Sequence, residues 1–149
     1  MPGIHKSLWF LTEAMQQKVS TFQHQLDINN IPHVIMETLR DQDVQDAYYS
    51  QGRQPLEQVN ALRATAQLPP ITEKDNGNII THAKVSNHSS GQAIDMPPSR
   101  ASYPDDPWWN APAEVWEKMA VLAESCGLVA GYHWKGFVDA DHFEMPGLS

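Results

Sequence analysis

Two stretches of the chain concentrate residues that can do chemistry. The first, Ser86-Asn-His-Ser-Ser-Gly-Gln-Ala-Ile-Asp95, sets an imidazole, His88, seven positions before a carboxylate, Asp95, with Gly91 and Ala93 between them. Imidazole nitrogen and carboxylate oxygen are both ligands for first-row metals, and zinc takes them at about 2.0–2.2 Å. A catalytic zinc needs three protein ligands and one open position. The best third ligand is His142, in the second stretch, Asp139-Ala-Asp-His-Phe-Glu144. Gly91 permits a sharp turn that folds His88 back toward Asp95. On a strand, Ala93 shares a face with Asp95, and a small residue there leaves room for metal and substrate. Taken alone, a histidine is more often an ordinary surface or core residue; it is the combination that points to a metal.

Zinc lowers the pKa of a bound water to about 7, and a nearby carboxylate can then take its proton. Asp139, Asp141 and Glu144 all lie near His142, and composition does not choose among them. On a regular strand Glu144 shares the His142 face and Asp139 does not. Arg40 and Arg53 are candidate fixed cations for negative charge that develops on a reacting oxygen. An arginine at a helix end, as Arg53 would be, is also a common structural ion-pair partner.

The pattern Ser86-x-His88-x-x-Gly91-x-Ala93-x-Asp95, followed by Asp139-x-x-His142, resembles the zinc peptidases of bacterial cell-wall peptides. That family includes the D-alanyl-D-alanine carboxypeptidases and dipeptidases and the L-alanyl-D-glutamate endopeptidases that phages use as endolysins. The resemblance extends upstream to Thr38-Leu-Arg40, Gln45 and Tyr49-Ser-Gln-Gly-Arg53, and covers the chain from about residue 32 to about residue 145. It implies an α+β fold in which a small antiparallel sheet packs with helices and carries the zinc cleft, the D-Ala-D-Ala peptidase or Hedgehog-like fold. It implies one zinc held by His88, Asp95 and His142. It assigns the catalytic carboxylate to Asp139, three residues before the second histidine, with Asp141 as the alternative. Arg40 would serve the transition state or a substrate carboxylate, and Ser86, Arg53, Gln45 and Trp134 would contact substrate. Those last four have plain readings too: a turn-forming serine, an ion-paired arginine, a solvated helix glutamine and a hairpin aromatic.

The chain has 149 residues, which suits one domain with one core, and the resemblance makes that a single zinc peptidase domain. Hydrophobic residues make up 41% and aromatics 9%, as in a globular protein. A formal net charge of −8 argues against nucleic acid or anionic lipid as the main partner, since phosphate binding needs clustered cations. The one cysteine, Cys126, excludes an intrachain disulfide. With no base identified beside it, Cys126 reads as a small buried hydrophobe at a helix end. The start carries only a very short apolar run cut off at Thr12, unlike a signal peptide, and no stretch approaches the roughly 18 apolar residues of a membrane span. The expectation is a monomer made in the cytoplasm that reaches the cell wall through a lesion made by another protein, as with a phage holin.

The elements that must bring the two stretches together follow from periodicity and breakers. Met15, Val19, Phe22 and Leu26 line one face of a helix from about Thr12 to about Leu26. Residues Ile31 to Thr38 read as a strand with Pro32 at its start. Asp41 is placed to cap a helix through about Tyr49 that ends at Gly52. A third helix runs from Pro55 to about Gln67, and a loop follows to Asn78. Ile79 to Val85 reads as a strand entering the Ser86 stretch, and Met96 to Pro107 as a proline-rich loop. Ala113 to Ser125 is a helix with Val115, Met119 and Leu122 on one face. Leu128 to Ala130 and Phe137-Val138 flank a turn, as in a hairpin. Helices with short strands between them indicate α+β. His5, His24, His33 and His82 have no partner at ligand spacing. Trp108-Trp109 after the proline-rich loop could form a sugar-stacking platform, but tryptophan is mostly buried in any domain, so the plain reading is buried aromatics.

Three function classes fit to different degrees. A zinc peptidase cleaving an amide of the peptidoglycan stem peptide fits best. The short domain and the Tyr-Ser-Gln-Gly-Arg segment favour endolysin-like L-alanyl-D-glutamate cleavage over removal of a terminal D-alanine. A non-catalytic cell-wall peptide-binding module would close its zinc with a fourth protein ligand. An iron dioxygenase also uses two histidines and a carboxylate, but the spacing around His88 and the acidic Asp139 disfavour it.

Overall fold

The structure, a computed structural model, describes residues 5–84 and 86–147. Helix α1 (Glu13–Ile28) starts at Thr12, whose side chain accepts from the Met15 amide, and it buries Met15, Val19, Phe22 and Leu26 as the periodicity requires. Helix α5 (Ala113–Ser125) packs against it through Met119, Ala120 and Ala123. Between them lie α2 (Gln42–Ser50), α3 (Leu56–Thr65) and a short α4 (Glu73–Asn76). Thr72 and Asp75 close a capping box at α4, inside a segment read from sequence as loop.

The sheet is small and carries the site. Strands β1 (Ala93–Asp95), β4 (Val129–Ala130) and β5 (His142–Glu144) form an antiparallel sheet in the order β1-β5-β4. Ile94 and Ala130 both pair with Phe143. These three residues are buried in the core, and Phe22 meets Phe143 edge-on at 4.8 Å. Side chains alternate across a strand, so the other face of the same ladder carries Asp95 opposite His142 and Ala93 opposite Glu144. The α+β architecture, with a small antiparallel sheet packed with helices, is therefore the one expected.

Several local expectations are corrected. The segment from Ile31 to Thr38 is extended, but it pairs only at isolated bridges, His33 with Pro98 and Glu37 with Asp95. Pro97 and Pro98 lie along its partner and have no amide to donate, so a continuous ladder cannot form. Residues 79–84 form no strand, and Val85 lies outside the described residues. The predicted hairpin between 128–130 and 137–138 is absent; β4 pairs instead with β5. The proline-rich 96–107 loop contains a two-stranded ribbon, β2 (Ser99–Arg100) with β3 (Tyr103–Pro107), short enough to tolerate its prolines. Among the described residues no helix is long and apolar enough to cross a membrane.

Candidate active site

His88 reaches the site from a 3-10 turn, Asn87–Ser90, that precedes β1. Ser86 starts this turn by accepting the His88 amide on Oγ at 3.1 Å. Gly91 ends it with φ +72°, and a Cβ there would lie 2.8 Å from the Phe10 carbonyl oxygen. Both backbone conformation and space therefore demand glycine at the turn. His88 Nδ1 donates to the Thr38 carbonyl at 3.1 Å, which fixes the tautomer and leaves Nε2 facing Asp95 Oδ1 at 3.1 Å.

His142 comes from β5 and presents Nδ1 to the same oxygen of Asp95 at 3.3 Å. Its Nε2 donates to Glu144 Oε1 at 2.7 Å, and Glu144 Oε2 accepts from the Asn87 side chain at 3.1 Å. Glu144 thus shares the His142 face, as strand geometry predicts, and serves as its orienting partner.

The ligand atoms of His88, Asp95 and His142 all lie within 4.8 Å of one another. Two ligands on one tetrahedral zinc sit roughly 3.4 Å apart, close to the observed separations. The electrostatics agree. Burial acts to lower the His142 pKa, yet hydrogen bonds to Asp95 and Glu144 and the charge of Asp139 push it up to about 10. Asp95 is held well below the usual carboxylate range: burial opposes this, and the two histidines drive it. Such a cluster attracts a cation, and a metal here competes with a proton. Two imidazoles and one carboxylate, each with an outer hydrogen-bond partner or ladder support, fit zinc with one side left open.

That open side is a cleft of about 650 Å³. Asp139 lines it, with Oδ2 3.8 Å from His142 Nδ1 and a half-exposed side chain. Burial and the nearby Asp95 charge raise the Asp139 pKa. Asp141 is pushed up to about 8, by burial first and then by Asp95 and Asp139, but it does not line the cleft. Gly131 makes room for this corner: a Cβ on it would collide with the Asp139 carbonyl and sit 3.2 Å from the His142 Cβ.

Arg40 also lines the cleft. Its Nε donates to Glu37 Oε1 at 2.9 Å, its Nη2 donates to the same oxygen, and its Nη1 donates to Gln45 Oε1 at 2.7 Å. The guanidinium lies 4.9 Å from the Tyr48 ring centroid. Burial acts to lower its pKa, but the Glu37 contact and charge raise it, so Arg40 stays a cation.

Of the other expected residues, Ser86 and Trp134 line the cleft, the Trp134 ring 5.1 Å from the His142 ring. Gln45 does not line it; it is fully buried, bonded to Arg40 and to the Ala83 carbonyl at 2.6 Å. Arg53 does not reach the cleft either, because its guanidinium donates to the Tyr49 carbonyl at 2.7 Å and covers the Tyr49 ring at 4.0 Å. His82, with no ligand partner in sequence, lines the cleft and meets Phe137 edge-on at 4.6 Å. Glu37 and Tyr48 were invisible from sequence, since only the fold brings them to Arg40.

The family model described as D-alanyl-D-alanine carboxypeptidase matches residues 81–145. No curated protein sequence matches the chain. Among solved structures, the Serratia marcescens L-Ala D-Glu endopeptidase ChiX shares 15% identity at a TM-score of 0.58, over 93% of this chain and 82% of its own. The LdcB LD-carboxypeptidase shares 12% at 0.56, over 91% and 58%. A vancomycin-resistance D,D-pentapeptidase VanY variant, solved with Zn(II), shares 10% at 0.55, over 92% and 73%. The segment matched by the family model is less than half of the chain but contains both site-bearing stretches, and these solved cell-wall peptidases share the chain's fold.

Proposed function

We propose that this chain, as a single peptidase domain, hydrolyses an amide bond of the peptidoglycan stem peptide, and that the bond is the one between L-alanine and D-glutamate. One observation carries the hydrolytic reading: His88, Asp95 and His142 converge on one point whose open side holds Asp139 and Arg40. A non-catalytic module would have a fourth ligand there instead of a half-exposed carboxylate. The finer reading rests on the likeness in fold and length to the L-Ala D-Glu endopeptidase, which this chain covers over 82% of its length. Removal of a terminal D-alanine is the alternative, supported by the description of the family model.

In this reading His88 Nε2, Asp95 Oδ1 and His142 Nδ1 hold zinc, which supplies Lewis acidity and an acidified water. Asp139 accepts a proton on its carboxylate and returns one to the leaving amine. Its raised pKa suits a group that must carry a proton in mid-reaction. Arg40 presents a fixed positive charge to the oxygen that gains negative charge. Trp134 and Ser86 border the peptide.

Mass spectrometry of purified sacculi digested with and without chelator tests this directly. New amino-terminal D-glutamate, absent with chelator, is the expected product. Release of free D-alanine would select the carboxypeptidase reading, and no cleavage by zinc-loaded protein would remove both.

A further inference from the structure

Glu37 is a buried carboxylate that the mechanism above leaves unused. Its side chain is 7% exposed and it does not line the cleft, so it cannot touch substrate. It is nevertheless tied to the site on three sides. One carboxylate oxygen accepts from both Nε and Nη2 of Arg40. The same oxygen lies 3.9 Å from His88 Nε2. Its backbone pairs with Asp95: the Asp95 amide donates to the Glu37 carbonyl at 2.9 Å, and the Glu37 amide to the Asp95 carbonyl at 3.4 Å. The Arg40 amide in turn donates to the His88 carbonyl at 3.1 Å.

A buried guanidinium needs a counter-charge, and here more than one is near. Asp95 also acts on Arg40 through its charge. A long, flexible arginine without a partner of its own would be drawn toward the carboxylate that faces both histidines. Gripping Nε and Nη2 fixes the plane of the guanidinium as well as its place, which a single contact would not. Gln45 holds the third nitrogen from the opposite side, and Tyr48 covers the face.

We propose that Glu37 is a positioning residue for catalysis, holding the Arg40 guanidinium at the cleft and away from Asp95. The proposal rests on the role given to Arg40 above. Because Glu37 lies on the extended segment that bridges to Asp95, the fold couples the place of the cation to the place of the metal ligand.

A double-mutant cycle on zinc-loaded protein tests it, using wild type, Glu37→Gln, Arg40→Ala and the double variant. Glu37→Gln should lower kcat/KM by on the order of ten-fold or more, with zinc content kept. In the Arg40→Ala background the same change should cost less than about three-fold, since residues acting through one another are not additive. Equal losses in both backgrounds, or no loss in the first, would overturn the proposal. Should Glu37→Gln not fold, Glu37→Asp takes its place in the cycle, where the loss must again vanish in the Arg40→Ala background. Hydrogen exchange of the Arg40 Nε–H, followed by NMR, separates this proposal from the Arg40 reading. It should be slow in wild type and fast in Glu37→Gln whatever Arg40 does in turnover. Fast exchange in wild type would contradict the grip itself. Slow exchange with an unimpaired Arg40→Ala enzyme would instead remove Arg40 from the mechanism.

Discussion

Asp95 and His142 are direct partners across the β1–β5 ladder, and His142 Nδ1 lies 3.3 Å from Asp95 Oδ1. A one-residue slip of this register would turn every side chain of β5 to the other face. Phe143 would then leave the core, so the burial of Phe143 against Ile94 and Phe22 is what holds the two site residues together. The metal site and the hydrophobic core are two faces of one short ladder.

Asp139→Asn should reduce peptidoglycan hydrolysis by roughly 10²–10⁴-fold. The amide still hydrogen-bonds but takes no proton, so zinc content and melting temperature should stay near wild type. Asp141→Asn, outside the cleft, should be mild. Turnover assays with zinc analysis on both variants decide it, and the reverse order of effects would make Asp141 the base.

Glu144→Gln keeps an acceptor for His142 Nε2 but drops the charge. Removing a ligand's outer partner typically weakens metal affinity by roughly 10–100-fold. Competition with a fluorescent zinc chelator measures this. Unchanged affinity would mean that the 2.7 Å contact does not tune His142.

His133 does not line the cleft; its Nδ1 lies 3.0 Å from Glu124 and its Nε2 2.8 Å from Glu117 on α5. The Glu124 contact, then the Glu117 contact, raise its pKa. A raised folded-state pKa contributes stability that is full below the unfolded value of about 6.5 and is lost as pH rises through the folded value. The group is exposed and screened, so the effect is about 0.2–1 kcal/mol. His133→Gln should therefore lower the melting temperature slightly at about pH 5.5 and hardly at all at about pH 9.5. Calorimetry at the two values checks the sign.

How much of this was legible beforehand depended on the range of the interaction. The stripe Met15, Val19, Phe22, Leu26 is a local pattern, and α1 follows it; the same holds for α5. His88, Gly91 and Asp95 announced themselves by type and spacing, and so did His142. The partner of β4 did not, because the choice of β5 over 137–138 is a long-range pairing with no local mark. The ribbon at 99–107 hides behind Pro104, Asp105, Asp106 and Pro107, residues that local propensity rejects from strands. Gln45 reads equally as a substrate contact, by the resemblance, or as a solvated helix residue, yet it is buried and bonded to Arg40 and to the Ala83 carbonyl. Gly131 gives no sign in sequence that it clears space for Asp139.

Anomalous scattering at the zinc edge, from crystals grown with zinc, addresses the central claim most directly. One strong peak is expected at about 2.0–2.2 Å from His88 Nε2, Asp95 Oδ1 and His142 Nδ1, on the side facing the cleft. A peak only elsewhere, for instance between His133 and the α5 glutamates, would contradict the account, as would no peak at all in zinc-grown crystals.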